Sequence, residues 1–254
     1  MASERPAIAT WPLVVAALLA AMALGYAPGA QAQILREGLF GDRPASGRPN
    51  SPPIARYVSQ EGETFILDRS QTRPLLKFDD SPEVWALRPH PAPRGDVIYK
   101  NDMGEPVLRA TRLGGLTLFT SSRPGGSPAA LAGDGPALRL AAISPQTLLE
   151  RLAQASARAT RAARRLIPFN AEASPESSAL MADAATVTAE AVVRMSRRPD
   201  GRTVLSRLER VTLVEGRRPS ATFQGGEMRI TVAPADGMAG RPSSERIIEA
   251  ANLR

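Results

Sequence analysis

Cysteine is absent from the 254 residues, histidine occurs once, and only two of the 32 basic residues are lysine. Without cysteine the chain has no disulfide, no thiolate nucleophile, no cysteine-ligated metal and no lipid anchor on an N-terminal cysteine. With His90 as the single histidine, a histidine-rich zinc site is excluded and a hydrolase triad would depend on that residue alone. His90 lies in "RPHPAP", where we expect an exposed loop residue.

Aromatic residues are also scarce, at 4% of the chain against 43% hydrophobic residues in total. Alanine, leucine and valine must therefore supply most of the core, which favours alanine-rich helices beside modest sheets over a large aromatic pocket. The net charge of +7 comes almost wholly from arginine, a skew typical of a GC-rich genome. We therefore expect no dedicated nucleic-acid function, although clustered cations do favour phosphates.

The N-terminus resembles a secretory signal. The run "WPLVVAALLAAMALGYA" over residues 11–27 is uncharged but shorter than the roughly 20 residues of a membrane-spanning helix. Pro28 and Gly29 then break the helix, and Ala30-Gln31-Ala32 has the small residues that a signal peptidase requires. We predict a signal peptide over residues 1–32, cleavage after Ala32, and no transmembrane segment in the mature chain. An uncleaved anchor is the alternative.

The composition predicts an α+β fold. A flexible lead-in is expected over residues 33–54 and a single α+β domain over residues 55–254. Within its β-rich part, residues 55–140, short runs such as "TFILD", "LLKF", "EVWAL", "DVIYK", "PVLRAT" and "LTLFT" alternate with turn residues, as in a small antiparallel sheet or sandwich. The segment "SSRPGGSPAALAGDGP" that follows these runs indicates a loop.

Helical periodicity begins at Ser144. Two helices that each start at a Ser-Pro pair are predicted within residues 144–196, as an antiparallel alanine-rich hairpin. Residues 203–254 should hold two further strands, "RVTLVEG" and "EMRITVAP", and a short C-terminal helix capped by Ser243 or Ser244.

The hairpin accounts for much of the arginine in "QASARATRAARR". Both helices carry heptad seams of leucine, alanine and valine, and their flanking charges have opposite sign. In an antiparallel register the charges pair as Arg151 with Glu190, Arg158 with Asp183 and Arg165 with Glu176. Arg161 and Arg164 are left over, either solvated or in contact with a partner.

Acidic residues cluster in two loops between residues 79 and 105. The loops "FDDSPE" and "KNDMGEP" contain Asp79, Asp80, Glu83, Asp102 and Glu105, which could form a carboxylate pair or a weak calcium or magnesium site. Asp before Ser-Pro and Asp two residues before Gly are also ordinary in turns. We favour the turns, and assign no catalytic, cofactor-binding or metal-binding residue.

Two segments carry a family resemblance. The text "GDVIYKNDMGEPVLRATRLGGLTLFTSSRPGGSPA", Gly95 to Ala129, and "GMAGRPSSERI", Gly237 to Ile247, resemble a family of exported alphaproteobacterial proteins of unknown function. That resemblance implies export and a single structural unit, and it assigns no activity.

Three functions follow as hypotheses. The first is an exported periplasmic or envelope-associated protein that binds or scaffolds an unknown protein or envelope partner without catalysis or cofactor. The second is a hydrolase that uses a divalent cation held by the acidic loops near residues 79–105. The third is a cationic protein that associates weakly with anionic envelope polymer or a membrane surface through Arg151, Arg158, Arg161, Arg164 and Arg165.

Overall fold

A computed structural model describes residues 52–252, with the side chains up to Ala251. The predicted signal peptide and nearly all of the predicted lead-in lie outside these residues. The described part is α+β, as predicted: a large antiparallel sheet is followed by helices, a second sheet and a short C-terminal helix. Within residues 52–252, no helix is long and apolar enough to cross a membrane.

The large sheet has nine strands, and all of its neighbours are antiparallel. Its order is β4-β3-β2-β1-β9-β8-β7-β6-β5. The strands are β1 (Ile54–Ser59), β2 (Thr64–Asp68), β3 (Leu75–Phe78), β4 (Val84–Ala86), β5 (Arg88–Pro91), β6 (Val97–Lys100), β7 (Pro106–Ala110), β8 (Leu116–Leu118) and β9 (Ser127–Asp134).

All six runs predicted as strands form strands, and β1, β5 and β9 were not foreseen. The strand β9 lies where a loop was predicted. Its backbone pairs with β1 on one side and with β8 on the other, and this pairing does not depend on its glycine and alanine side chains. The strand β5 contains Pro89 and Pro91 and lies at the sheet edge, where a missing amide donor is tolerated.

The two edges of the large sheet are adjacent in the chain. Only Leu87 separates β4 at one edge from β5 at the other, so the sheet must curl until the edges approach each other. The curled sheet encloses a core that includes Phe65, Leu67, Leu76, Leu87, Leu108 and Leu118, all fully buried.

The helix α1 spans Pro145–Ala163. Its start is as predicted, because the Ser144 hydroxyl accepts a hydrogen bond from the Thr147 amide at 3.1 Å and Pro145 occupies the first turn. It ends earlier than Pro168 would impose, since Arg164 adopts a left-handed conformation with φ of 55°. The helix α2 spans Ser178–Ser196, and a short helix α3 spans Gly201–Ser206.

The second, small sheet has the order β10-β11-β13-β12. Its strands are β10 (Phe169–Ala171), β11 (Arg210–Glu215), β12 (Ser220–Gln224) and β13 (Glu227–Val232). The predicted strands correspond to β11 and β13. The strands β10 and β12 are short edge strands with little apolar alternation, so no local pattern predicted them. One core cluster combines this sheet with α1, α2 and the last helix, α4 (Ser244–Asn252).

The two long helices differ from the predicted hairpin in direction and register. The strands β10 and β11 are parallel, so α2, which connects them, runs opposite to both. After α1 the chain also turns back, since the Ile167 amide donates to the Thr160 hydroxyl and the Ile167 carbonyl accepts from Ser156. The helices α1 and α2 therefore run side by side in the same direction.

The predicted ion pairs are wrong for the same reason. Glu190 pairs with Arg158, which lies one heptad after its predicted partner Arg151. Asp183, the predicted partner of Arg158, pairs with Arg241 instead. Arg165 donates to the Ser206 carbonyl instead of meeting Glu176. Within residues 52–252, Arg151, Arg161 and Arg164 have no ion pair. The heptad seams do mark the buried face, and Leu148, Leu152, Ala155 and Ala159 are buried.

Candidate ligand-binding cleft

A cleft of about 580 Å³ opens where the large sheet meets the small sheet and the C-terminal segment. The large sheet contributes β4, the start of β5 and the loops before β3 and after β6. The small sheet contributes the turn between β11 and β12. The segment that precedes α4 completes the floor. The lining contains six arginines, Arg73, Arg88, Arg217, Arg218, Arg241 and Arg246, and two acids, Asp102 and Asp236.

Arg241 lies at the floor and is buried, with 3% of its side chain exposed. It forms an ion pair with Asp183 of α2 and donates to the Val84 carbonyl of β4 at 2.8 Å. Its guanidinium also lies 3.7 Å from the buried carboxylate of Glu83. A buried charge requires such partners, because desolvation of an unpaired guanidinium costs several kcal/mol. Arg241 therefore joins the C-terminal segment to the large sheet and to α2 at one point.

The residue before Arg241 must be small. Gly240 packs against the backbone of Ala233, and a Cβ at that position would lie 2.0 Å from the Ala233 carbonyl oxygen. The Gly240 carbonyl accepts a hydrogen bond from the Ala233 amide at 2.6 Å. This close approach sets the path of the chain into the "RPSSER" segment.

Glu83 holds the start of α4. One oxygen of its carboxylate accepts from the Ser244 amide at 2.9 Å, and the other accepts from the Ser244 hydroxyl. Burial raises the pKa of the Glu83 carboxyl above its ordinary value, and the nearby Arg241 guanidinium and the Ser244 hydrogen bonds oppose that shift. Arg194 of α2 donates to the Ser244 hydroxyl at 2.7 Å and pairs with Glu245.

Asp102 makes a second connection to the same helix start. Its carboxylate accepts from the Ser243 amide at 3.0 Å, the Ser243 hydroxyl at 2.6 Å and the Arg246 side chain at 3.2 Å. The Ser243 hydroxyl in turn accepts from the Arg246 amide, which confirms Ser243 as a cap of α4. The segments around Asp102 and around Ser243, which both carry the family resemblance, therefore meet in space.

The other four arginines of the cleft differ from these two. Arg73, Arg88, Arg217 and Arg218 have no ion pair with any acid in residues 52–252, whereas Arg241 and Arg246 are both satisfied. Arg88, Arg217 and Arg218 are exposed and Arg73 is half-buried. Asp236 is the one lining acid without an ion pair in the described part of the chain. The cleft thus has a surplus of positive charge that is open to solvent.

An aromatic side chain and apolar groups lie among these charges. Trp85 of β4 is half-buried and lines the cleft together with Ala86, Met238 and Ala239. Its ring meets Phe78 edge to face, with 6.2 Å between ring centroids. Arginine forks bind carboxylates and phosphates in bidentate geometry, and Ala86, Met238 and Ala239 add apolar groups to the same lining. The cleft is therefore suited to an anionic ligand that also has apolar parts.

The acids of the predicted cation site do not gather. Asp79 pairs with Arg56, Glu105 accepts from Asn101 at 3.0 Å, and Glu83 and Asp102 bind the start of α4. Within the described residues, no group of three or more acidic or histidine side chains could hold a metal ion. The turn chemistry also differs from expectation, because Asn101, and not Asp102, accepts the turn amides of Met103 and Glu105.

His90 is exposed, as predicted, although it lies in the edge strand β5 and not in a loop. The sequence did not predict the site residues themselves, which are Arg241 and the four cleft arginines without an ion pair in residues 52–252. A signal for Arg241 was present in the resemblance segment "GMAGRPSSERI", which contains it together with Gly240, Ser243, Ser244 and Arg246. The four unpaired arginines come from three distant segments, and no local motif links them.

The chain belongs to a family defined by a domain of unknown function, DUF4908, whose sequence model matches residues 35–251. The match covers both resemblance segments and every residue of the cleft. None of the curated proteins and none of the solved structures matches the chain.

Proposed function

We propose that this chain is an exported, periplasmic or envelope-associated binding protein that takes an anionic ligand in the arginine-lined cleft. The observation that carries the proposal is the set of four cleft arginines without an acid partner among residues 52–252. Like charges held close together oppose folding, so an anion that neutralises them would bind favourably. Binding without catalysis is proposed because Glu83 and Asp102 are engaged by Ser243, Ser244 and arginine.

Export rests on the sequence of residues 1–32, with the mature chain beginning at Gln33. The test is the intact mass of the protein recovered from the periplasm of cells that express the full chain. A mass that starts at Gln33 supports the proposal. A mass that retains residues 1–32 contradicts both cleavage and release into the periplasm.

Anion binding is tested by thermal unfolding at constant ionic strength, with chloride replaced by sulfate. A ligand that binds only the folded state raises the melting temperature. We expect a rise for the parent protein and a smaller rise for Arg217→Gln/Arg218→Gln, which keeps Arg73 and Arg88. The matched control is Arg161→Gln/Arg164→Gln, which removes the same charge from exposed positions of the α1 end and should keep the rise. Equal responses of the two variants would contradict the cleft as the site.

A second candidate is association of the α1 end with an anionic membrane surface. Arg161 and Arg164 are exposed, and Leu166 beside them is 72% exposed. Cationic and apolar side chains together favour anionic bilayers. The control variant also tests this candidate, because Arg161→Gln/Arg164→Gln should abolish co-sedimentation with vesicles of anionic phospholipid at low salt if the candidate is right.

A further inference from the structure

The four cleft arginines without an ion pair in residues 52–252 come from two different sheets. Arg73 follows β2 and Arg88 begins β5, so both belong to the large sheet. Arg217 and Arg218 occupy the turn between β11 and β12, which belongs to the small sheet. The large sheet and the small sheet form the two walls of the cleft and each supplies two arginines to its lining, while the segment before α4 supplies the floor.

We propose that the ligand is an elongated dianion with an oxyanion group at each end, one for each wall, and an apolar middle. The inference rests on the proposed function and adds the number and spacing of the anionic groups. Carboxylate and phosphate share the chemistry that an arginine fork recognises. Either group would suit the two ends of the ligand, and one arm of the experiment distinguishes carboxylate from phosphate.

The size of the cleft supports two groups over one. A volume of about 580 Å³ lies within the usual range for organic ligands, whereas one water molecule takes up about 30 Å³ of liquid. A single small oxyanion would thus occupy a small share of the cleft. Bound to one wall, it would leave the two guanidinium groups of the other wall without a counter-charge.

The chemistry between the walls supports an apolar middle. The apolar residues Val84, Ala86, Met238 and Ala239 line the cleft together with the arginines. The acids Asp102 and Asp236 would repel a third anionic group, and Asp102 is already occupied by Ser243 and Arg246. A short alkyl or aromatic spacer would bury apolar surface there, which is favourable by roughly 25 cal/mol per Å².

The experiment compares ligands of equal charge by isothermal titration calorimetry at fixed ionic strength and pH 7.5. The probes are sulfate, with its charge on one group, and linear dicarboxylates from malonate to pimelate, with their charge on two. Binding through two linked groups gains from effective concentration only when the spacer fits the span. We expect an optimum at one chain length, with affinity at least about tenfold above that of sulfate.

Variants of each wall complete the test. Arg73→Gln/Arg88→Gln and Arg217→Gln/Arg218→Gln should each abolish the preference for the best dicarboxylate over sulfate, and Arg161→Gln/Arg164→Gln should retain it. Unfolding of the unliganded variants checks that they are folded. Alkane-diyl bisphosphates of the same spacing form the second arm, and tighter binding of either series identifies the end group.

The outcomes separate the two proposals. Equal affinity for sulfate and for dicarboxylates of every length, or a preference that survives loss of one wall, would overturn the bridging dianion while leaving an anion site in place. Failure of the parent protein to bind any of the probes would overturn the anion site itself.

Discussion

Arginines in one cleft serve two roles, as a comparison of Arg241 with Arg217 demonstrates. Arg241 is buried and contacts Asp183, Glu83 and the Val84 carbonyl, whereas Arg217 is exposed and has no ion pair in the described residues. Burial imposes a desolvation cost that only partners offset, so Arg241 is fixed by the fold. Exposure removes that requirement and leaves Arg217 available to a ligand. The same residue type therefore stabilises the fold at the floor and is free to bind at the wall.

The largest expected effect comes from the floor. Arg241→Met should destabilise the protein by about 3–5 kcal/mol, because it leaves Glu83 and Asp183 near each other without their cation. Urea unfolding measures the loss. Arg217→Met makes the same chemical change at the wall and should alter stability by less than about 0.5 kcal/mol. Similar losses in the two variants would remove the distinction between floor and wall.

The second effect is a dependence on pH at Glu83. Burial raises the pKa of this carboxyl in the folded protein, so the folded state binds the proton more tightly than the unfolded state does. The resulting stabilisation is fully present below the ordinary value of 4.5 and is lost as pH rises through the raised pKa. The stability of the parent protein should therefore fall relative to Glu83→Gln as pH increases above 4.5. A difference that is flat with pH would contradict this.

A smaller effect is expected between α1 and α2. The part-exposed pair Arg158 and Glu190 should have a coupling energy of up to about 1 kcal/mol in a double-mutant cycle of Arg158→Ala and Glu190→Ala. The same cycle with Asp183→Ala should give no coupling, because Asp183 contacts Arg241. Coupling to Asp183 would instead support the antiparallel register.

The smallest effect on stability is expected at the wall. Arg217→Gln/Arg218→Gln should change the free energy of unfolding by less than about 0.5 kcal/mol in the absence of ligand, since neither side chain has an ion pair within the part of the chain that the structure describes. Urea unfolding in chloride checks this. A loss of several kcal/mol would show that these arginines have a structural role like that of Arg241.

The sequence predicted what local pattern determines. Eight strands, six in the large sheet and two in the small one, follow from periodicity and turn residues, as do the cap of α1 at Ser144 and the buried seam of that helix. The edge strand β5 was missed because its prolines argue against a strand anywhere except at an edge, and edges are defined only by the whole sheet.

The predicted ion pairs between α1 and α2 are wrong for a related reason. Charge complementarity between two helices fits several registers that differ by one heptad, and three residues of β10 decided the direction of α2. The cleft depends on residues as far apart as Arg73 and Arg246, so no spacing rule could reveal it. Glu83 and Asp102 were among the five loop acids considered as a carboxylate pair or cation site, but their partners lie in the segment around Arg241 and Ser243.

Arg241, Ser243 and Ser244 follow both sheets in the chain, so the contacts of Glu83 and Asp102 form only after this segment has been synthesised. A chain cut short before Gly240 would bury Glu83 and Asp183 without a cation and would leave Asp102 without its serine and arginine donors. Such a product would remain partly open and exposed to proteases. Synthesis of residues 240–252 is thus a condition for the stable fold, so chains that lack them should be cleared while chains that contain them persist.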